Sequence, residues 1–300
     1  MNQQPLAGSA FAPGLEGIWS GLSDSLYHNH KLAPEVSRGL VVEMLRTSPA
    51  HVKALIDGAL PPRKPTKPME IGSLFDKALL EPDLFKEGHS HWVRPEEITN
   101  LNSKDGRKWK KDHPGELPVL KFQEAADIQG MIESVMRHKL ARRIIEESTK
   151  QESAFCKDPD TGLLRKCRTD ARLIENSGRQ LISDLKSTFF GCAAPEVWSN
   201  HCARMNYHIQ DTFYSGIHRD LSGEDPFFVF LVVERRPPYA VRIFEIHEEG
   251  RNRAREKCHR ALEKFSECKA KGEWPSYPET IERIRLPFWE LHPSDPISHE

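Results

Sequence analysis

The chain has 300 residues, 38% hydrophobic and 29% charged, with 22 prolines and 18 glycines. That length supports a sizeable core, and the balance excludes collagen-like and wholly disordered chains. Lys and Arg total 43 against 44 Asp and Glu, so a polyanionic partner has to be met by a local patch rather than by the whole surface.

Residues 1–20 read as a flexible lead, residues 21–290 as one domain and residues 291–300 as a C-terminal tail. Between Gly21 and His51 the second half is helical by the recurrence of Val41, Val42, Met44 and Leu45. Pro61 to Pro68 reads as a linker, Ile71 to Leu80 as a helix stopped near Pro82, and Gly88 to Pro118 as an irregular excursion. Phe122 to Ile145 has the pattern of one long amphipathic helix. Three strands follow: Ser153 to Lys157, Leu163 to Leu173 and Gln180 to Ser187, the first two joined by the turn-forming Asp158 to Gly162. Val197 to Tyr214 reads as one helix with Trp198, Cys202, Met205, Ile209 and Phe213 on a stripe. Phe227 to Glu234 is a buried strand with Ala240 to Ile246 as its hairpin partner, and His247 to Lys271 is a charged helix. The fold class expected is α/β, a central mixed β-sheet flanked by helices.

The longest apolar run, Phe227 to Val233, is far short of the about 20 residues that span a bilayer. The N-terminus lacks the basic start and apolar stretch of a secretory signal. The expectation is a cytoplasmic protein with no membrane partner. The six cysteines, Cys156, Cys167, Cys192, Cys202, Cys258 and Cys268, form no C-x-x-C pair and fit neither a zinc site nor a disulfide framework. Three basic clusters, Lys104 to Lys111, Arg137 to Arg143 and Arg251 to Arg260, offer local positive charge.

The chemistry concentrates in Cys167-Arg168-Thr169-Asp170 and Asp184-Leu185-Lys186. Alternation along a strand puts Asp184 and Lys186 on one face. If the two strands pair through the turn at Glu175 to Arg179, Asp170 approaches Asp184, and two carboxylates converge with an ammonium. A hard cation takes oxygen ligands of this kind. It neutralises charge and lowers the pKa of bound water in phosphodiester hydrolysis. A neighbouring lysine orients the water and stabilises the developing charge.

Four stretches then carry a family resemblance. They are Tyr27-His28 with Ser48-Pro49-Ala50-His51; Ile71-Gly72-Ser73-Leu74-Phe75-Asp76 running to Pro82; Thr161 to Asp170 leading to Asp184-Leu185-Lys186-Ser187-Thr188; and Tyr207 to Tyr214 with its Gln210-x-x-x-Tyr214. In order and spacing they resemble the nuclease domain of exodeoxyribonuclease VIII, the RecE-type branch of the PD-(D/E)xK superfamily. One departure stands out: the family places a histidine four residues after the glycine, whereas here Asp76 follows Gly72.

The resemblance implies that residues 21–290 form a PD-(D/E)xK exonuclease domain with a restriction-endonuclease-like core. It implies Asp170 and Asp184 as Mg2+ ligands with the Leu185 carbonyl, Mn2+ substituting, and Asp76 in the place of the family histidine. Lys186 would position or activate water, and Gln210 and Tyr214 would face the site. Glu152 is a candidate outer-shell ligand on the approach to the first strand, and Arg168, Ser187 and Thr188 are candidate DNA contacts. The implied activity is ATP-independent 5′–3′ degradation of one strand at linear double-stranded DNA ends. That leaves 3′ single-stranded tails for a RecT-type annealing protein, in a phage or prophage recombination system, by a homo-oligomeric ring of trimer or tetramer form. The alternatives are a catalytically silent DNA-binding ring protein and another PD-(D/E)xK nuclease of lambda-exonuclease-like or RecB-like type.

Overall fold

The computed structural model describes residues 6–7, 14–28, 35–60, 64–286 and 291. The remainder of the expected lead, the Pro61–Arg63 part of the linker and most of the tail lie outside the described residues.

In chain order the elements are β1 (Leu6–Ala7), β2 (Gly17–Ser20), α1 (Asp24–His28), β3 (Val36–Ser37), α2 (Arg38–Arg46), α3 (Pro49–Ile56) and α4 (Lys67–Leu80). They continue with β4 (Trp92–Arg94), α5 (Lys104–Asp112), β5 (Val119–Lys121), α6 (Phe122–Arg137), α7 (Lys139–Glu147), β6 (Thr149–Lys157), β7 (Leu164–Ile174) and β8 (Gln180–Thr188). The last are α8 (Pro195–Arg204), α9 (Tyr207–Ser222), β9 (Phe227–Glu234), β10 (Val241–Phe244) and α10 (Glu248–Lys271). The main sheet runs β1-β2-β6-β7-β8-β9-β10, with β3 paired to β7. It is mixed: β8 and β9 are parallel, while β6, β7 and β8 pair antiparallel.

Helices cover both faces. On one, α2, α9 and α10 pack Leu40, Val41, Ile209, Phe213, Ile217 and Phe265 against Ala154 and Cys167 of the sheet. On the other, α4, α6 and α7 pack Leu74, Phe75, Ile128, Met131 and Ile145 against Leu185, Leu231 and Val233. This is the α/β architecture with a central mixed sheet that the element order implies. All six cysteines are buried and free.

Several expectations are corrected. Gly17–Ser20, assigned to the lead, is β2, and Trp19 is fully buried with its ring edge-on to Phe155 at 5.3 Å. The stretch Gly88–Pro118 is not irregular throughout. It holds α5, capped by Ser103 Oγ accepting from Gly106 N at 3.0 Å, and β4, which pairs in parallel with β5. Phe122 to Ile145 is two helices. His138 leaves the helical region (φ −78°, ψ 109°), and its Nδ1 caps α7 by accepting from Ala141 N at 3.2 Å. Val197 to Tyr214 is also two helices, because Asn206 takes a left-handed φ of 55° and Arg38 Nη2 holds the carbonyls of Met205 and Asn206 at 2.6 and 3.1 Å. The expected stripe is therefore split, with Met205 left 47% exposed. In α4, Pro68 sits in the first turn, where its missing N–H has no helical partner to lose.

Candidate active site

The β7–β8 ladder pairs Arg172 with Ile182 and Ala171 with Ser183, and stops there. The next step in register would set Asp170 opposite Asp184. On its other side Asp170 faces Gln151, which is skipped in the β6–β7 pairing and adopts a left-handed φ of 51°. The ladder thus opens around Asp170. Its carboxylate takes the place of a backbone acceptor: Leu185 N–H donates to Asp170 Oδ2 at 2.7 Å. This bond fixes the carboxylate of β7 beside the residue that separates Asp184 from Lys186.

Asp184 is 3% exposed and projects toward α8 and α9, as does Lys186, while Leu185 between them enters the core beneath α4 and α6. Lys186 Nζ pairs with Asp184 Oδ2, and Gln210 Nε2 donates to Asp184 Oδ1. Lys186 also stands over the Tyr207 ring, 4.9 Å from its centroid. The left-handed Asn206 starts α9 so that Tyr207 and Gln210, three residues apart, both meet β8. Tyr214, one turn beyond Gln210, packs edge-on to Phe228 at 6.4 Å; it lies near enough to feel the charges of Asp184 and Asp170 but makes no hydrogen bond to either.

Asp76 reaches the same place from α4. A Cβ at Gly72, one turn earlier, would lie 3.1 Å from Ser187 Oγ. The absent side chain is what lets this helix approach the end of β8. Withdrawal from water, then the charge of Asp170, holds the Asp76 carboxyl well above the ordinary carboxylate range. Burial, then the charge of Asp184, raises Asp170 to about 7. Burial pulls the Lys186 ammonium down, but Asp184 and Asp170 outweigh it and leave its pKa at about 12.

Among the described residues no three His, Cys, Asp or Glu side chains stand in a ready ligand cluster, and Lys186 and Gln210 occupy the Asp184 carboxylate. The residues nonetheless fit a hard divalent cation. Asp76 Oδ1 is buried with no hydrogen-bond partner, and mutually destabilised carboxylates are what such an ion relieves.

A cleft of about 390 Å³ opens onto Asp76, Leu185 and Lys186, with Ser187, Thr188, His201, Tyr207 and Arg235 in its walls. Ser187 and Thr188 are thus placed at the site, although the Thr188 hydroxyl is buried. Tyr207, His201 and Arg235 were not singled out from sequence. Tyr207 had a signal, its position three residues before Gln210. Arg235 had only the Arg235-Arg236 pair after a buried strand.

Two expected site residues are elsewhere. Glu152 does not precede the first strand on a helix. It lies within β6, fully buried, and its carboxylate is gripped by Arg172 at 2.7 and 3.1 Å. Arg168 donates to Ser153 Oγ at 2.9 Å and Leu22 O at 2.7 Å, pairs with Asp24, and stacks on Tyr27 at 4.4 Å. Its guanidinium is committed to the N-terminal segment rather than held ready for phosphate.

A crystal structure from Eubacterium rectale described as a "Putative exonuclease" superposes with a TM-score of 0.62 at 15% identity, covering 91% of this chain and 98% of that one. At that identity it shows the shared fold. A second structure, of SSO0001, aligns over 63% of this chain and 84% of its own at 12% identity, with a TM-score of 0.27 that supports no comparison. No curated protein matches the sequence. The model of the PDDEXK-like domain of unknown function (DUF3799) matches residues 39–287, a span that holds Asp76, Asp170, Asp184, Lys186 and Gln210, and the chain belongs to that family.

Proposed function

We propose that the protein is a Mg2+-dependent exodeoxyribonuclease acting 5′–3′ on linear double-stranded DNA ends without ATP. The 3′ single-stranded tails would serve strand annealing. The observation that carries this reading is the convergence of Asp170 and Asp184 from adjacent strands with Lys186 beside them and Asp76 facing them from α4. Membership of a PDDEXK-like family and the fold shared with the Eubacterium rectale protein support it.

Asp170, Asp184 and Asp76, with the Leu185 carbonyl, would hold Mg2+ or Mn2+. When bound, the ion would offset phosphate charge and lower the pKa of a water ligand. Lys186, with a pKa of about 12, keeps its proton at neutral pH. In that form it is a hydrogen-bond donor and a positive charge placed to position water and phosphate. Gln210 fixes the rotation of the Asp184 carboxylate through its N–H. Ser187 and Arg235, in the cleft wall, are placed to meet phosphate. A homo-oligomeric ring and a RecT-type annealing partner belong to this proposal and rest on the family resemblance alone. Among the described residues no helix is long and apolar enough to cross a membrane.

The test is nucleotide release from end-labelled linear duplex beside its circular counterpart. The linear form should be degraded only with divalent metal, the 5′ label released first, and the circle left intact. Lys186→Ala should lower turnover about 10²–10³-fold, as loss of one charge-stabilising donor does, with DNA binding retained. Release that persists in chelator, or undiminished turnover in Lys186→Ala, overturns the reading.

A further inference from the structure

The mouth of this cleft carries large apolar side chains in water. Phe189, Met69 and Met205 line it together with Lys186, and are 47%, 54% and 47% exposed; Phe190, the next residue, is 65% exposed. Single exposed apolar residues are ordinary, but a group of them around a polar cleft marks a contact surface.

The backbone beneath them is firmly held. Arg235 N–H donates to Thr188 O at 2.8 Å just before the pair. Cys192 N–H donates to Phe189 O at 3.2 Å, closing a turn in which Gly191 takes a φ of +79°. Ala193 N–H then donates to Glu234 Oε1 at 3.0 Å, and Cys192 and Ala193 are buried. The Phe189 ring is braced edge-on by His201 at 5.6 Å. Across the cleft, Arg38 holds the Met205 carbonyl at 2.6 Å. The Phe189 ring thus has a fixed seat, and Phe190 follows it on the same held turn.

Cationic side chains stand beside them, one of which, Lys186, is paired with Asp184. Lys186 and Arg235 share the lining, and Asp76 is the one carboxylate in it. Exposed aromatic and apolar side chains beside cations suit a ligand with π-faces and phosphates. Phe189 follows Lys186 by three residues, about 10 Å along an extended strand, which is the rise of roughly three stacked nucleotides.

Resting on the nuclease reading above, we propose that Phe189 and Phe190 stack unpaired bases of the DNA strand within about three nucleotides of the cleaved phosphate. The enzyme therefore engages an opened terminus and captures the bases that leave the duplex.

The experiment compares the full-length wild type with Phe190→Ala, Phe189→Ala/Phe190→Ala and Phe190→Trp on two linear duplexes, one fully paired and one with three mispaired terminal base pairs. Phe190→Ala should lose roughly ten- to a hundredfold in turnover on the paired end, in line with the effect of removing one aromatic–base stack. It should lose much less on the mispaired end, and Phe190→Trp should keep activity on both. Binding of a single-stranded oligonucleotide carrying 2-aminopurine should quench its fluorescence with the wild type and not with the double variant. Equal losses on the two duplexes, no loss on the paired one, or quenching unchanged in the double variant would overturn the proposal. So would conversion of an oligomer to a monomer by Phe190→Ala in sedimentation, since the patch would then cover a second copy of the chain. A wild type inactive on every linear duplex sinks the nuclease reading instead, while the quenching arm still decides the stacking.

Discussion

Gly72 of α4 and Ser187 of β8 touch through an absent side chain: a Cβ at Gly72 would stand 3.1 Å from Ser187 Oγ. Asp76 rides on the same helix one turn later, so the spacing glycine–three residues–aspartate is a packing device that sets a carboxylate against Asp170. Gly72→Ala gains about 0.5–1 kcal/mol of helix propensity, and the serine hydroxyl can turn aside. Its thermal midpoint should stay near wild type. Gly72→Val has no such escape and should lift α4 from the strand. The expected readout is divalent-metal affinity measured by calorimetry. It should fall at least tenfold in Gly72→Val, little in Gly72→Ala, and partly recover in Gly72→Val with Ser187→Gly. Unchanged affinity in Gly72→Val would show that α4 does not position a ligand.

The placement of Asp170 beside Asp184 was legible in the sequence because it depends on local rules. Strand alternation puts Asp184 and Lys186 on one face, and a short turn sets the register that brings Asp170 across. The residues that were misplaced depend on contacts distant in sequence. Arg168 looks available until Leu22, Asp24 and Tyr27, more than 140 positions away, close over it. Glu152 looks like a ligand until Arg172, 20 residues on, claims both of its oxygens. The helix breaks at His138 and Asn206 carry no Gly or Pro; each exists because a side chain, His138 itself or the distant Arg38, holds the freed backbone groups.

The titration of Asp170 gives the site a pH signature. Its folded pKa of about 7, raised first by burial and then by Asp184, stands above the value of about 3.9 in an unfolded chain. The folded protein therefore binds a proton more tightly than the unfolded one. Its contribution to stability is full below about pH 4 and is lost as pH rises toward 7. Divalent metal acts in the opposite sense, because it needs the ionised carboxylate. Metal-free wild type should lose thermal stability relative to Asp170→Asn between pH 4 and 7, and added Mg2+ should raise the wild-type midpoint more at pH 8 than at pH 5.5. Calorimetry in buffers of different ionisation enthalpy should show proton release on Mg2+ binding near pH 6–7. Asp184→Asn removes the like charge, so it should reduce that release. Metal binding with no proton exchange would place the ion away from Asp170.

Glu152 and Arg172 supply the test that separates scaffold from chemistry. Glu152 is fully buried, and Arg172 makes two bonds to it and a third to Gln180 Oε1 at 3.2 Å. The pair clips β6 to β7 next to the opened register at Asp170. Removing one partner strands a buried charge, which costs about 3–5 kcal/mol, whereas replacing both with apolar residues of similar volume is often close to neutral. Glu152→Ala should therefore lower the urea midpoint sharply, and Glu152→Met with Arg172→Met should recover most of the loss. Since neither side chain contacts Asp184 or Lys186, the double variant should keep its affinity for Mg2+ within about threefold, the usual context scatter of such interactions. A double variant that is stable but has lost metal binding would return Glu152 to the ligand shell.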